Sequence, residues 1–468
     1  MNARVTGLCV AFIATYLAGC VRPQKEEVRS TLIEPTTLGL SDSAAEPAPP
    51  MWWQSFGDPQ LNRLVDDALA HNPTLDEALA RVRESNAEIL AAGAAIKPGV
   101  TLDADETWQR FSENFYIPPP FAGGRFWVGT VGTNMGWTLD FWGKQAAIIR
   151  QARSTDIAAR LGTESARLAV AGALAQAYLD LYRAHALTDV AARTLEQRQH
   201  LLELTQQRLS AGLDTAIDLH ITQARLADAR AALEQTHSAR ELAVHRLAAI
   251  SGHGADLYAQ IERPRVSLEN ALPIPDSLPI NLLARRSDIL AARARVDAAD
   301  AGRAAAKAAF YPDLSLKAFA GFQAIGLGNL FESGSMVYGA GPAFHLPIFD
   351  ARRLRAAYRR STAELDLAVA SYNDVVLNAV RETADQLSLI DALTKQTQQA
   401  HQRFDEAQAA YDLASQRYGA GLVTQLVVLN AETEVLAARQ NIVALETSRA
   451  ISRITLLLTL GGSFNGRI

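Results

Sequence analysis

Cysteine is nearly absent from this chain: there are two in 468 residues, at positions 9 and 20. Everything beyond residue 20 therefore lacks a disulfide framework and any thiolate metal site. A dominant charge sign is missing too. Lys and Arg number 45 against 50 Asp and Glu, a formal net charge of -5 with no basic block, which removes the electrostatic footprint of a nucleic-acid binder. The nine His are scattered, with no His, Cys and carboxylate spacing of a metal centre. No glycine loop suited to a phosphate is present, since "FAGGRFWVG" reads as a loop entering a strand. His253 in "SGHGAD" follows a helix end and reads as a capping or surface residue. The expectation is a protein that is not an enzyme, with no catalytic, cofactor or metal residues.

No apolar run is long enough for a membrane-spanning helix. The longest lies at 5–18, about 14 residues where about 20 are needed. It belongs to "MNARVTGLCVAFIATYLAGC", which has the one early cation, apolar middle and small-residue end of an export signal. The tetrad Leu17-Ala18-Gly19-Cys20 resembles the bacterial lipoprotein box, which implies cleavage before Cys20 and a covalent lipid on its thiol. Val21 resembles the pattern sorted to the outer membrane. Residues 1–19 are thus expected to be the signal and 20–57 a lipidated, flexible lead rich in Pro, Glu and Ser.

What the sequence does contain is a duplication. "QRLSAGLDTAIDL" from Gln207 returns as "QRYGAGLVTQLVV" from Gln416, and the same offset of 209 aligns Arg230 with Arg439, Arg240 with Arg449, Leu247 with Leu456 and Gly252 with Gly461. "FWGKQAAIIRQARST" from Phe141 matches "IFDARRLRAAYRRST" from Ile348, and "AAIKPGVTL" from Ala94 matches "AAFYPDLSL" from Ala308. Two units follow, 58–255 and 276–462, with a linker at 256–275 and a tail at 463–468.

Each unit reads alike. A helix (74–97; 288–311) stops at Pro98 or Pro312. After two strand-like runs, a helical pattern continues unbroken over 144–210 and 351–418, and beyond the repeated turn a second helix runs to Gly252 or Gly461. At 1.5 Å per residue the long helices would span about 100 Å, the returning ones about 60 Å and the short ones about 36 Å. One long helix could therefore pair with two shorter ones stacked end to end. Leu365, Val369, Tyr372, Val376 and Val380 form an apolar seam close to heptad spacing, as coiled-coil packing requires.

The strands are expected at 100–111, 125–141, 313–325 and 335–348. In "RFWVGTVGTNMGWTLDF" Trp127, Val131, Met135, Trp137, Leu139 and Phe141 occupy odd positions, while Thr130, Gly132, Asn134, Gly136, Thr138 and Asp140 occupy even ones. That period of two suits a strand between lipid and a watery lumen. The run 100–111 alternates least well, with Glu106 and Arg110 on its outer side. Four strands cannot close a barrel, and an open edge in lipid leaves backbone groups unsatisfied, so several chains must share one barrel. The edge of a soluble sandwich is the other reading of the same hairpins.

The stretches "WWQSFGDPQLNRLVDDALAHNPTLDEALARV" from Trp52, "LPINLLARRSDILAARARVDAADAGRAAAKAAFYPDLSL" from Leu278, "FHLPIFDARRLRA" from Phe344 and the two turns resemble the TolC/OprM type of outer-membrane factor, in its NodT-like lipoprotein branch. The resemblance implies a mostly α fold with membrane β: a homotrimer whose twelve strands form one β-barrel in the outer membrane, four from each chain, continued by a long periplasmic α-helical barrel. It implies an exit duct for small toxic compounds or drugs. Its partners would be a periplasmic adaptor (membrane fusion) protein and an inner-membrane RND, MFS or ABC transporter. A type I protein-secretion duct is the alternative, the same object with another partner.

In that family the helix tips close the tunnel and receive the adaptor. The positions carried over are Gly212, Asp214 and Asp218 in the first tip, and Arg417, Tyr418, Gly421, Val423, Val427 and Asn430 in the second. Asp218 and Tyr418 match residues that take part in latching contacts, a phenol donating to a carboxylate. Tyr418→Phe is then expected to raise conductance. Asp218 also reads as a first-turn acid favoured by its helix dipole. TolC-like members place acidic ring positions where this chain has Val423, Val427 and Asn430, which predicts a gate closed by packing, with weak cation preference.

Overall fold

The computed structural model describes residues 26–34, 38–39, 49–114, 116–268, 286–347 and 350–464. The export signal and Cys20 lie outside them. The chain divides into two compact units. One holds residues 1–32, 81–159 and 292–372, and the other holds 33–80, 160–291 and 373–468.

The first unit contains the sheet. Its strands are β1 (Gly99–Arg110), β2 (Arg125–Leu139), β3 (Asp313–Ile325) and β4 (Met336–His345), all antiparallel in the order β1-β2-β3-β4. Register runs Trp108 to Trp127, Val131 to Phe322 and Leu316 to Pro342. The two hairpins come from different repeats, joined where β2 meets β3. Pro342, which has no N–H to give a neighbour, stands on the edge strand β4, where a sheet tolerates it. The strands end one to three residues short of the sequence expectation at several points. At β2 the reason is Asp140, whose carboxylate accepts the backbone N–H of Gln145 at 3.0 Å and Ala146 at 2.7 Å and so starts the next helix.

The helices are α1 (Pro59–His71), α2 (Pro73–Ala94), α3 (Lys144–Ser210), α4 (Ala216–Ile250), α5 (Ser287–Ala308), α6 (Ala351–Gly419) and α7 (Gln425–Thr459). None is long and apolar enough to cross a membrane among the described residues. In the sheet unit, Ser85 of α2 donates to Asp156 of α3 at 2.9 Å, and Val296 of α5 packs on Leu365 and Val369 of α6.

The second unit carries the largest core, built around Trp52, Leu61, Val65, Leu174, Tyr178, Leu247 and Ile454. It also shows how short and returning helices meet. Asn72, just before α2, donates its side-chain amide to the carbonyl of Ile250 at the end of α4 (2.7 Å). Arg286, just before α5, donates to the carbonyl of Thr459 at the end of α7 (3.1 Å). Each carbonyl is one that a helix end leaves without an internal partner. The four residues are repeat equivalents, at offsets of 214 for Asn72 and Arg286 and 209 for Ile250 and Thr459. Burial alone would lower the Arg286 pKa. Asp288 (2.7 Å) and Glu382 (3.4 Å) outweigh it and hold the guanidinium above its ordinary value.

Asp58 is the polar hub of this core. Its carboxylate caps α1 through the Gln60 N–H (2.9 Å), accepts the Tyr178 hydroxyl (2.6 Å) and accepts the Arg265 N–H (2.7 Å). Gln60 in turn exchanges hydrogen bonds with the backbone of Glu262, and Leu257, Ile261, Val266 and Leu268 pack on the core. The first part of the expected linker is thus a docked segment. Residues 26–34 of the expected flexible lead are docked as well. In the sheet unit Arg29 and Ser30 donate their N–H groups to Asp366 (2.8 and 2.9 Å), and Glu26 pairs with Arg359 (2.7 Å).

Candidate functional site

Two features follow from this fold: a sheet with unlike faces, and two helix tips. Strand pairing puts even residues of β1, β3 and β4 and odd residues of β2 on one face. Among the described strand residues, ten large apolar side chains are exposed. Nine of them, Val100, Leu102, Trp108, Trp127, Met135, Leu316, Met336, Tyr338 and Phe344, share that face, and only Phe319 lies on the other. The opposite face carries Thr101, Asp103, Asp105, Thr130, Asn134, Thr138, Asp313, Ser315 and Lys317. There Asn134 donates to Asp103 (2.9 Å), as does Thr101 (2.8 Å).

Water on both sides would penalise the first face, because each exposed apolar side chain forgoes its transfer free energy. Lipid on one side and water on the other satisfies both. Aromatic residues mark the ends of the apolar face. The Trp108 and Trp127 rings pair at 5.4 Å near the hairpin end, and Trp137 lies ten residues along β2. Ten tilted strand residues rise about 25 Å, the height of the apolar band of an outer-membrane barrel. Glu106 and Arg110, the misfits of β1, lie toward the hairpin end, where Arg110 pairs with Glu113 at 2.8 Å.

The two tips both lie in the second unit and share one backbone motif. Leu213 N–H bonds the Arg208 carbonyl (2.8 Å) and Gly212 N–H bonds Leu209 (3.0 Å). Leu422 N–H bonds Arg417 (2.9 Å) and Gly421 N–H bonds Tyr418 (2.9 Å). Gly212 and Gly421 take φ of +73° and +72°, the left-handed conformation that ends a helix in this way and that a side chain would strain.

Their side chains differ. In the first tip Arg208 holds Asp214 (3.1 Å), and Thr215 with Asp218 forms a full capping box at the start of α4. The Asp218 carboxylate accepts the Thr215 hydroxyl (2.6 Å) and backbone N–H (2.9 Å), which hold its pKa below the usual aspartate range. Moving 209 residues on replaces Asp214 by Val423 and Asp218 by Val427. Accordingly Thr424 makes no side-chain capping bond at the start of α7. Among the described residues, Arg417 has no acid opposite it within the chain.

Of the sequence-predicted site residues, the structure brings Gly212, Asp214 and Asp218 together in one tip and Arg417, Tyr418, Gly421, Val423 and Val427 in the other, with Asn430 exposed on the first turns of α7. It joins Asp218 to Thr215 rather than to Tyr418, whose hydroxyl has no hydrogen-bond partner among the described residues. Sequence reasoning missed the Arg208–Asp214 pair. The signal was present, since Arg208 and Arg417 align in the repeated turn while only the first has an acid six residues later.

Comparison with known proteins agrees with this geometry. The model of the outer membrane efflux protein family matches residues 64–253 and again 278–462. The multidrug resistance outer membrane protein MdtQ of Escherichia coli O157:H7 is 30% identical over 472 residues, covering 96% of each chain. The fusaric acid resistance protein FusA of Burkholderia cepacia is 33% identical over 363 residues, 75% of this chain and 68% of FusA. The crystal structure of the outer membrane protein VceC of Vibrio cholerae superposes with a TM-score of 0.83 at 34% identity, covering 89% of this chain and all of VceC. A repeated helical unit, a sheet with one lipid-compatible face, and these matches lead to one assignment: the chain belongs to the outer membrane efflux protein family.

Proposed function

We propose that three copies of this chain join their sheets edge to edge into one twelve-stranded barrel, which opens into a tunnel of the long helices and forms the outer-membrane exit duct of a tripartite efflux system. The observation that carries this reading is the sheet itself. It has four strands, two unlike faces, and edges at β1 and β4 that no strand of the described chain covers. Lipid leaves no unsatisfied backbone edge, and the smallest closed barrels have eight strands, so closure has to come from other copies. The duct needs no catalysis and no cofactor. A periplasmic adaptor and an inner-membrane RND, MFS or ABC transporter supply contact and energy, and the lipid on Cys20 adds an anchor. Relatives named for resistance to drugs and to fusaric acid support small toxic compounds, rather than secreted proteins, as cargo.

Within this reading the tips form the periplasmic gate and adaptor contacts. Asp218 is engaged in its own capping box, so a Tyr418 hydroxyl arriving from another hairpin would have to share or displace Thr215. The test of the function is deletion of the gene with a panel of antibiotics and dyes, with and without the inner-membrane transporter that proves to be its partner. Sensitisation restored by the wild-type chain supports the efflux reading. Unchanged susceptibility combined with loss of a secreted protein would replace it with the secretion reading.

A further inference from the structure

The polar face of the sheet is not polar throughout. Along β2 its positions read Phe126, Val128, Thr130, Gly132, Asn134, Gly136 and Thr138, with both large apolar residues at the hairpin end. Ile325 pairs with Val128 on the same face. The loop adds two more rings. Phe111 continues the ladder past β1: its N–H donates to Gly124 (3.0 Å) and its carbonyl accepts from Gly123 (3.2 Å). Its ring stacks on Phe126 with centroids 6.2 Å apart. Phe121 meets Phe126 edge-on at 5.3 Å.

Backbone geometry preserves the cluster. A Cβ on Gly124 would run into the Phe126 ring as it is placed, so a larger residue there would have to displace the ring. The helices join the sheet at Gly99 and Leu139, so this hairpin end is the one farthest along the strands from them. With the sheet in the outer membrane, it faces outside.

We infer that Phe111, Phe121 and Phe126 form an aromatic collar at the outer mouth of the duct, a filter that passes apolar cargo outward and slows the inward entry of bulky hydrated solutes. Apolar constrictions act by making hydrated species shed water. Phe111 is the buried base, whereas Phe121 and Phe126 keep part of their rings exposed. The inference rests on the reading of the polar face as lumenal.

The experiment reads the collar without involving the tips. A Thr130→Cys reporter, the next lumenal position of β2 inward from Val128, is placed in the full chain. It is labelled in intact cells with a bulky polar maleimide and, separately, with a small thiol reagent. Phe121→Ala and Phe126→Ala are expected to speed the bulky reaction roughly tenfold, as loss of one apolar contact group predicts, and the small one far less. Phe121→Leu, which retains an apolar contact in the loop, should give an intermediate rate at normal trimer yield. Bulky-label rates equal to wild type in both Ala variants would overturn the collar. Ala318→Cys on the apolar face serves as the control. Its labelling by the impermeant maleimide would overturn the lumenal reading and the collar with it, while a protected Ala318→Cys with unchanged Thr130→Cys rates would remove the collar alone.

Discussion

Asp218 accepts both the backbone N–H and the hydroxyl of Thr215, and no equivalent bond exists 209 residues later, where Val427 faces Thr424. A helix start with a reciprocal cap is held against fraying, and one without it leaves its first N–H groups to water. The two tips of one duplicated turn therefore differ in local stability.

The first prediction follows from that cap. Thr215→Ala should cost about 1 kcal/mol of helix-start stability. The folded-state pKa of Asp218 is depressed, so its contribution is complete above the unfolded aspartate value and is lost as pH falls through the lower folded value. Protection factors at the start of α4, with the intrinsic pH dependence of exchange divided out, should fall in Thr215→Ala at neutral pH and in the wild type on acidification into the carboxylate range. The start of α7 should respond to neither change.

Val427→Asp tests the inequality from the other side. It recreates Thr-x-x-Asp at the second tip and should slow exchange at the start of α7, by a few-fold or more if the restored cap contributes the usual ~1 kcal/mol. If the tips form the gate of the trimeric duct proposed above, it also adds three carboxylates to that gate, so single-channel recordings should show cation preference rising above a weak wild-type value. Strong cation selectivity in the wild type would contradict a gate closed by packing.

The Asp58 hub supplies a third prediction. Tyr178 is fully buried, and its hydroxyl donates to Asp58 at 2.6 Å while accepting from Gln60 at 2.8 Å; burial and the carboxylate push its pKa far above the ordinary phenol value. Tyr178→Phe removes a bond to a charged group, worth about 1.5–3 kcal/mol. The Arg265 amide, which shares that carboxylate, should exchange at least ~10-fold faster and the docked 256–268 segment should be cleaved sooner by protease. Asp58→Ala should exceed this, because it leaves three donors without their acceptor.

Much of the fold was legible because it rests on local periodicity. The unbroken pattern from Lys144 to Ser210 is a helix with those ends, and the alternation in "RFWVGTVGTNMGWTL" is a strand with the expected faces. Pro98 and Pro312 mark the stops of the short helices, although α2 and α5 end three to four residues sooner. Glycine in the repeated turns was readable for a similar reason, since a left-handed helix end has few alternatives. The docking of residues 26–34 was not readable, because it depends on Asp366 and Arg359 more than three hundred positions away.

The chain by itself determined its duplication, the lengths of its helices, the two-faced strands and the unequal chemistry of its tips. Each of these is written in spacings of two, three or four residues or in a direct repeat. Tertiary structure decided which groups meet: Asn72 with Ile250 and Arg286 with Thr459 at the helix junctions, Tyr178 and Arg265 on Asp58, and Phe121 on Phe126 over the polar face of the sheet. Partners far apart in sequence carry no spacing that identifies them, and they are chosen only when folding brings a buried polar group or an exposed ring within reach of its complement.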